Sequence, residues 1–388
     1  MFALIFYKWY NRPAMRNVRQ TNANIHRDSW VEINIGNLAH NAKEIRKNVP
    51  EDTKLLAVVK ADSYGHGSVM LAPTLLVSGF DMLGVASIDE GVDLRNAKIN
   101  AEILVLGAVP VWAIETAIQE DIAIPVFSQA HLNACKQAYK RTGKKPKVHV
   151  KIDTGMNRIG IGYDEAEEFI KKVQASDYID LKGIFTHLAI AEDRKGTQVQ
   201  IDRWNNIIEN IDTTGLLLHI QNTVGTMCYT IPKSNMRRVG IALYGLYPDM
   251  PEDNEGFRPD LKQVISLKGR IVHIHEAKDH EGVSYGFTYR ANGNRTIATI
   301  PIGYADGVSR GLSNKIYGVL NGHKIPQVGN ITMDQMMFDI TGIEAELGDV
   351  ITLLDEENSI DEWAKILGTI NYELTCRLKV RLPRVYTR

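Results

Sequence analysis

The 388-residue chain is poor in cysteine: Cys135, Cys228 and Cys376 are far apart and odd in number. That excludes a disulfide framework, and without CxxC or Cys/His ligand spacing no metal is expected. A reducing, cytoplasmic setting follows. Charge of one sign is also lacking, since 45 Lys and Arg against 46 Asp and Glu leave a formal net charge of -1. No global field would gather nucleic acid or an anionic membrane, so neither is expected as a partner. No apolar run approaches the ~20 residues of a membrane span. The opening Met1–Phe6 is apolar but short, and its basic residues follow it, the reverse of a secretory signal. Residues 1–24 read as a polar, poorly ordered extension, with Met15 as an alternative start. Low-complexity tracts and solenoid periods are absent.

What is present is ordinary globular composition, 44% hydrophobic and 23% charged, over a length that favours two domains. Short apolar runs recur between amphipathic stretches: 55–60, 82–87, 102–107, 122–127, 148–153, 181–187, 216–221 and, least convincing as a strand, 236–241. Continuous β-branched runs alternating with helical patterns indicate parallel strands buried on both faces. In 164–173, Ala166, Phe169, Ile170 and Val173 share one helical face. Eight such units predict an α/β fold, a (β/α)8 barrel over residues 25–258. A doubly wound open sheet is the alternative, disfavoured because no GxGxxG follows the first strand.

Beyond about Pro259 alternating strands dominate, at 264–274, 295–300 and 349–354. Asn292-Gly293 and Asn321-Gly322 carry the type I′ hairpin signature. With one short helix at 360–367, residues 259–388 predict a mostly antiparallel β domain, bounded by the charged, Pro-rich segment 248–259.

In such a barrel, chemistry collects at the C-terminal ends of the strands. Lys60 ends the first; Lys151, Asp153 and Arg158 follow the fifth. His187 ends the sixth, Asn222 and Thr223 the seventh, and Arg238 to Ile241 the eighth. Burial lowers a lysine pKa toward the neutral amine, which condenses with an aldehyde such as pyridoxal phosphate (PLP).

Here the sequence resembles the alanine racemase family of fold-type III PLP enzymes. The resemblance runs from about Trp30 to Tyr386. It rests on Ala57-Val-Val-Lys-Ala-Asp-Ser-Tyr-Gly-His-Gly67, Arg238-Val-Gly-Ile-Ala-Leu-Tyr-Gly245, Ser284-Tyr-Gly286, Pro301-Ile-Gly-Tyr-Ala-Asp-Gly307, Val328-Gly-Asn-Ile-Thr-Met-Asp-Gln335 and Leu382-Pro-Arg384, six blocks in family order.

The resemblance implies PLP-dependent interconversion of L- and D-alanine, supplying D-alanine for peptidoglycan and the bacterial cell wall, by a cytoplasmic homodimer with shared active sites. Lys60 would carry the cofactor and act as base on one face of the substrate. Tyr285, from the β domain of a partner subunit, would be the acid/base on the other face. Arg238 would face the pyridine nitrogen. Because arginine stays protonated, it donates without giving that nitrogen a full charge, which favours return of the proton at Cα over transamination. His187 would lie on or near the ring; a satisfied core histidine is the structural alternative. Tyr64, Thr223, Tyr372 and the amides of Gly240 and Ile241 would hold the phosphate, with Asn222 also expected at the cofactor, although Thr223 also reads as a helix N-cap. Arg158 would steer the substrate carboxylate, anchored by a carbamylated Lys151. Tyr304, Met333 and Asp334, with Arg310, match residues of the second subunit's side of the pocket; Met333 reads equally as core.

Three positions depart from the family. Asn330 stands where arginine is common, Thr223 where serine is common, and Asn157 where glycine precedes the arginine. The rival readings are a serine or broad-specificity racemase, a fold-type III decarboxylase, which should show a Cys-Asp pair in its β domain, and a barrel-only PLP carrier.

Overall fold

The computed structural model describes residues 19–20, 26–253 and 256–388. The expected poorly ordered extension at 1–24 lies outside them, except that Arg19–Gln20 pair antiparallel with Val385 and Tyr386. The chain divides into two compact units, one of Leu38–Ser63 and Gly67–Lys262, the other of the described residues up to Asn37, Tyr64–His66 and Gln263–Arg388.

The first unit is the barrel. Its strands are Lys54–Val58, Met82–Val85, Glu102–Val105, Ile124–Val126, Lys147–Asp153, Asp180–Phe185, Leu217–His219 and Met236–Val239. All the ladders between them are parallel. The third strand meets the fourth through one bridge, Leu104 to Ala123. The eighth strand, the weakest in the sequence, closes the circle by pairing with the first and, at the end of the seventh, donating from Arg238 N to Gln221 O at 3.2 Å. That closure excludes an open doubly wound sheet. The strands form because their apolar runs are buried on both faces, as Leu55, Leu56, Ala57, Leu104 and Val150 are. Some of the helices between them start on side-chain caps, as when Ser87 Oγ accepts from Glu90 N and Asp193 from Lys195 and Gly196. Ala166–Gln174 buries the four residues its sequence periodicity names.

The second unit is a ten-stranded sheet, antiparallel except where Ser29–Asn34 runs parallel to Arg384–Thr387. Ser29–Asn34 differs from the expectation that the barrel domain begins at residue 25. Its alternating burial is that of a one-sided strand, and it pairs with Ile265–Arg270. The expected single strand at 264–274 is two. At the fully buried Ile271 the backbone turns to Asp349 O, and Val272 N then reaches Thr299 O, changing partner strands. Asn321-Gly322 makes the expected two-residue hairpin, with φ of 51° and 80° and Leu320 opposite His323. Asn292-Gly293 does not. Only Gly293 has positive φ, its amide is taken by Asp279 Oδ1 at 2.7 Å, and the flanking strands pair elsewhere. Besides the expected helix Ile360–Leu367 there is a second, Asn371–Arg377.

Candidate active site

Lys60, half-buried, directly follows the first barrel strand. After it the chain makes a left-handed turn, with φ between 51° and 55° at Ala61, Asp62, Ser63 and Tyr64. Each such residue costs about 1–2 kcal/mol, so the turn needs support. Glu90 Oε1 accepts from Ala61 N at 2.8 Å and its Oε2 from Ala86 N at 2.7 Å. Asp62 Oδ1 accepts from Ser68 N at 2.7 Å, and Val59 O from Ser63 N at 2.8 Å.

Around the strand ends the barrel gathers positive charge. Lys151 is 4% exposed, with Nζ 4.2 Å from the centre of the Phe185 ring. Burial first, then the charges of Arg238 and Arg158, push its amine down to about 7 against the weaker opposing pull of Asp153. Asp153 is otherwise engaged, its Oδ1 accepting from the amides of Gly155, Met156 and Asn157 at 2.9–3.0 Å. Asn157, where the family commonly has glycine, adopts φ 53°, a conformation asparagine tolerates. Burial, then Arg238, Lys151, Arg158 and Lys60, hold the imidazole of His187 well below its ordinary range. The structure thus brings together Lys60, Lys151, Arg158, His187 and Arg238.

Arg238 is 3% exposed and is bonded to neutral acceptors. Nη1 donates to His219 Nδ1 at 2.7 Å and His219 O at 2.9 Å; Nη2 donates to Thr186 O at 2.8 Å and Ile220 O at 3.2 Å, with His187 Nδ1 at 3.3 Å. Burial lowers its pKa to about 9. The contact with His219 determines more than one proton. Arginine only donates, so His219 Nδ1 accepts, and a neutral imidazole then carries its hydrogen on Nε2. That atom lies 3.0 Å from His149 Nδ1, which must accept, leaving the hydrogen of His149 on Nε2, a buried atom with no hydrogen-bond partner. Burial, then Arg238, depresses both imidazoles, that of His149 to about 3, in agreement with two neutral rings. Gly183 makes the pair possible, since a Cβ there would lie 2.5 Å from His149 Nδ1.

After the seventh strand Asn222, not Thr223, is the N-cap, its side chain accepting from Gly225 N. This leaves Thr223 Oγ1 to accept from Gly240 N at 2.9 Å. Ile241 begins the short 3-10 turn that follows. The expected phosphate residues of the barrel are therefore adjacent.

In the β unit Tyr285 is 76% exposed. Tyr304 and Met333 lie side by side, because Tyr304 N donates to Thr332 O at 2.9 Å and Ala305 N to Met333 O at 3.0 Å. Both side chains are exposed, which rules against core packing for Met333 within this chain. Asp334 pairs with Arg381, which also pairs with the buried Asp306. Arg310 is exposed. Tyr64 and Tyr372 pair as tilted rings 6.1 Å apart. Among the described residues no group of His, Cys, Asp or Glu could hold a metal, and no helix is long and apolar enough to cross a membrane.

Sequence reasoning missed His149, His219 and Glu90. The available signal was strand parity: His149 and Lys151 are two apart and share a face of the fifth strand.

A closed barrel with an amine at the mouth of its first strand and buried cations behind it has the frame of a fold-type III PLP enzyme. The donor set fits PLP. Cations near Lys60, opposed by a carboxylate that backbone amides already occupy, suit an anionic phosphate and ring oxygen. The family models for the alanine racemase N-terminal and C-terminal domains match residues 33–248 and 264–386. Alanine racemase 2 of Oceanobacillus iheyensis is 41% identical over 372 residues, 94% of each chain. The solved alanine racemase of Clostridium difficile 630 superposes with a TM-score of 0.88 at 38% identity, covering 94% of this chain and 97% of that one. Its complex with cycloserine gives 0.85 at 37%, over 94% and 96%. The chain belongs to the alanine racemase family, isomerases that depend on PLP.

Proposed function

We propose that this chain interconverts L- and D-alanine using PLP held by Lys60, in the cytoplasm, supplying D-alanine for peptidoglycan. The observation that carries the reading is the position of Lys60 at the C-terminal end of the first barrel strand, its charge acting on the same imidazole, His187, as that of the buried Arg238. Bound PLP supplies an electron-withdrawing ring that acidifies the α-hydrogen of an attached amino acid.

The residues divide the remaining work. Lys60 moves a proton on one face at Cα, and Tyr285 moves one on the other. Arg238, fixed by carbonyls and a neutral His219, would donate toward the ring nitrogen without surrendering its proton, and His187 would help hold the ring. Asn222 orders the turn in which Thr223, Gly240 and Ile241 would receive the phosphate. Tyr64 and Tyr372 are the further hydroxyls that the family resemblance assigns to that group. Arg158 orients the substrate carboxylate, and Tyr304, Met333 and Asp334 line the approach.

Lys151, with an amine pushed down to about 7, is nucleophilic toward carbon dioxide. The ammonium first gives up a proton. The neutral amine then attacks the carbon of carbon dioxide, an N–C bond forms as one C=O π pair moves onto oxygen, and a second proton leaves nitrogen. A cation near Arg238 and Arg158 thereby becomes a carbamate anion that can pair with them. The exposure of Tyr285, Tyr304 and Met333 supports a homodimer in which this face serves the partner's barrel, making the barrel unit the PLP-binding domain and the β unit, which takes in Ser29–Asn34, the domain that completes a neighbouring site. The test is a chiral assay of purified, PLP-loaded protein with L-alanine, L-serine and L-lysine. Conversion of L-alanine foremost is expected; preference for either other substrate overturns the assignment.

A further inference from the structure

We propose that Asn330 is a positioning residue for Tyr285, an inference that rests on the assignment of Tyr285 as the second acid/base. Tyr285 sits in a strained backbone whose own hydrogen bond, Phe287 N to Ser284 O, is long at 3.3 Å. Ser284 before it has φ 66°, and Gly286 and Phe287 after it have φ 73° and 47°. Left-handed conformations at serine and phenylalanine persist only where neighbours impose them.

The neighbour is the turn after the strand His323–Val328. Asn330 Nδ2 donates to Tyr285 O at 2.6 Å, and Asn330 O accepts from Ser284 Oγ at 2.6 Å. Two bonds of opposite sense join one asparagine to both residues at the start of the turn. Fixing the carbonyl of Tyr285 fixes the peptide plane beyond its Cα and hence the direction in which its Cα–Cβ bond leaves the backbone.

The approach is close. A Cβ on Gly329 would lie 2.6 Å from Val283 O and 2.9 Å from Ser284 Cβ, and Gly329 has φ 73°. Two further amides hold the turn. Asn314 Oδ1 accepts from Gly329 N at 2.6 Å while its Nδ2 donates to Thr288 Oγ1 at 3.1 Å; Gln327 Nε2 donates to Gly329 O at 2.8 Å. The loop is thereby gripped at Tyr285 and again at Thr288. Asn330 is 8% exposed. From that buried position an amide donates to the partly buried carbonyl without bringing a charge out of water. The departure from the family's common arginine is thus an uncharged clamp on the backbone of Tyr285.

Asn330→Asp keeps the shape and replaces the donor by an oxygen that repels the carbonyl. The test follows deuterium entry at Cα from D2O, starting separately from L- and D-alanine, in PLP-loaded wild type, Tyr285→Phe, Asn330→Asp and Asn314→Ala. Cofactor absorbance serves as the check on folding. Because misplacing a reacting group by an ångström can cost about 100-fold, Asn330→Asp should slow exchange by about 10- to 100-fold from the same enantiomer that Tyr285→Phe slows. Exchange from the other should stay within about twofold, with KM little changed. Asn314→Ala should show the same one-sided loss, a few-fold in size. Amide hydrogen exchange at 284–288 should rise in both. If Tyr285→Phe is one-sided but Asn330→Asp slows both enantiomers alike or neither, the positioning role is wrong. If Tyr285→Phe is itself not one-sided, the assignment of Tyr285 fails and the role of Asn330 fails with it.

Discussion

The barrel mouth and the Tyr285 turn solve the same problem, aiming one side chain, by opposite means. At the mouth Lys151 and Arg238 are buried, and their positions follow from closed strands. Arg238 alone has its guanidinium on three backbone carbonyls and two imidazoles. In the β unit Tyr285 stands 76% exposed on a turn of left-handed residues, secured through its own carbonyl. One region is complete within the chain; the other presents its functional groups outward. Burial gives the first its chemistry by shifting pKa values. The second has only geometry to offer until another surface covers it.

The largest expected effect lies at the mouth. Lys60→Ala should remove the visible absorption of bound PLP and lower racemisation by more than about a thousandfold; a variant that keeps that absorption breaks the assignment. Next, Tyr285→Phe should retain the cofactor, since its turn lies outside the barrel strands, yet lose about 10²- to 10⁴-fold in kcat. Loss of absorption in Tyr285→Phe would dissolve the contrast between the two regions.

The pH dependence of Lys151 sharpens it further. Its folded pKa, about 7, lies below the ordinary 10.5, so between these values the unfolded chain binds more protons. An unmodified Lys151 therefore penalises the fold fully below pH 7, and stability rises with pH up to about 10. Denaturant titrations should show a steeper rise for wild type than for Lys151→Met in bicarbonate-free buffer. Added bicarbonate should flatten the difference; an identical slope in both proteins would mean that burial does not tune this lysine. The smallest effect belongs to plain turn chemistry: Asn321→Ala should cost about 1 kcal/mol at its left-handed position, read as a shift in the urea midpoint with kcat unchanged.

How much of this could be read beforehand follows from the same contrast. The barrel strands were legible because each is a continuous apolar run, and the strand-end residues because unusual side chains interrupt those runs. Lys60, Lys151, His187 and Arg238 emerged that way, whereas Arg158 lies past the end of its run and drew its role from the family resemblance. The parts that escaped depend on pairing instead of period. Ser29–Asn34 lies more than 200 residues from its partner Ile265–Arg270. Asn371–Arg377 begins at Ile370 with no side-chain cap, so nothing marks its start. The left-handed turn at 61–64 contains no glycine to announce it. His149 and His219 look like ordinary strand residues until folding places Nδ1 of one 3.0 Å from Nε2 of the other. Asn330 was visible as a departure, but its hold on Tyr285 exists only in three dimensions.

The central claim is that one chain supplies the amine and another the phenol. Co-refolding inactive Lys60→Ala with inactive Tyr285→Phe tests it most directly. Random pairing makes half the dimers mixed, each with one intact site of two, so about a quarter of wild-type activity should return. No recovery in mixtures whose subunits demonstrably exchange would contradict the account.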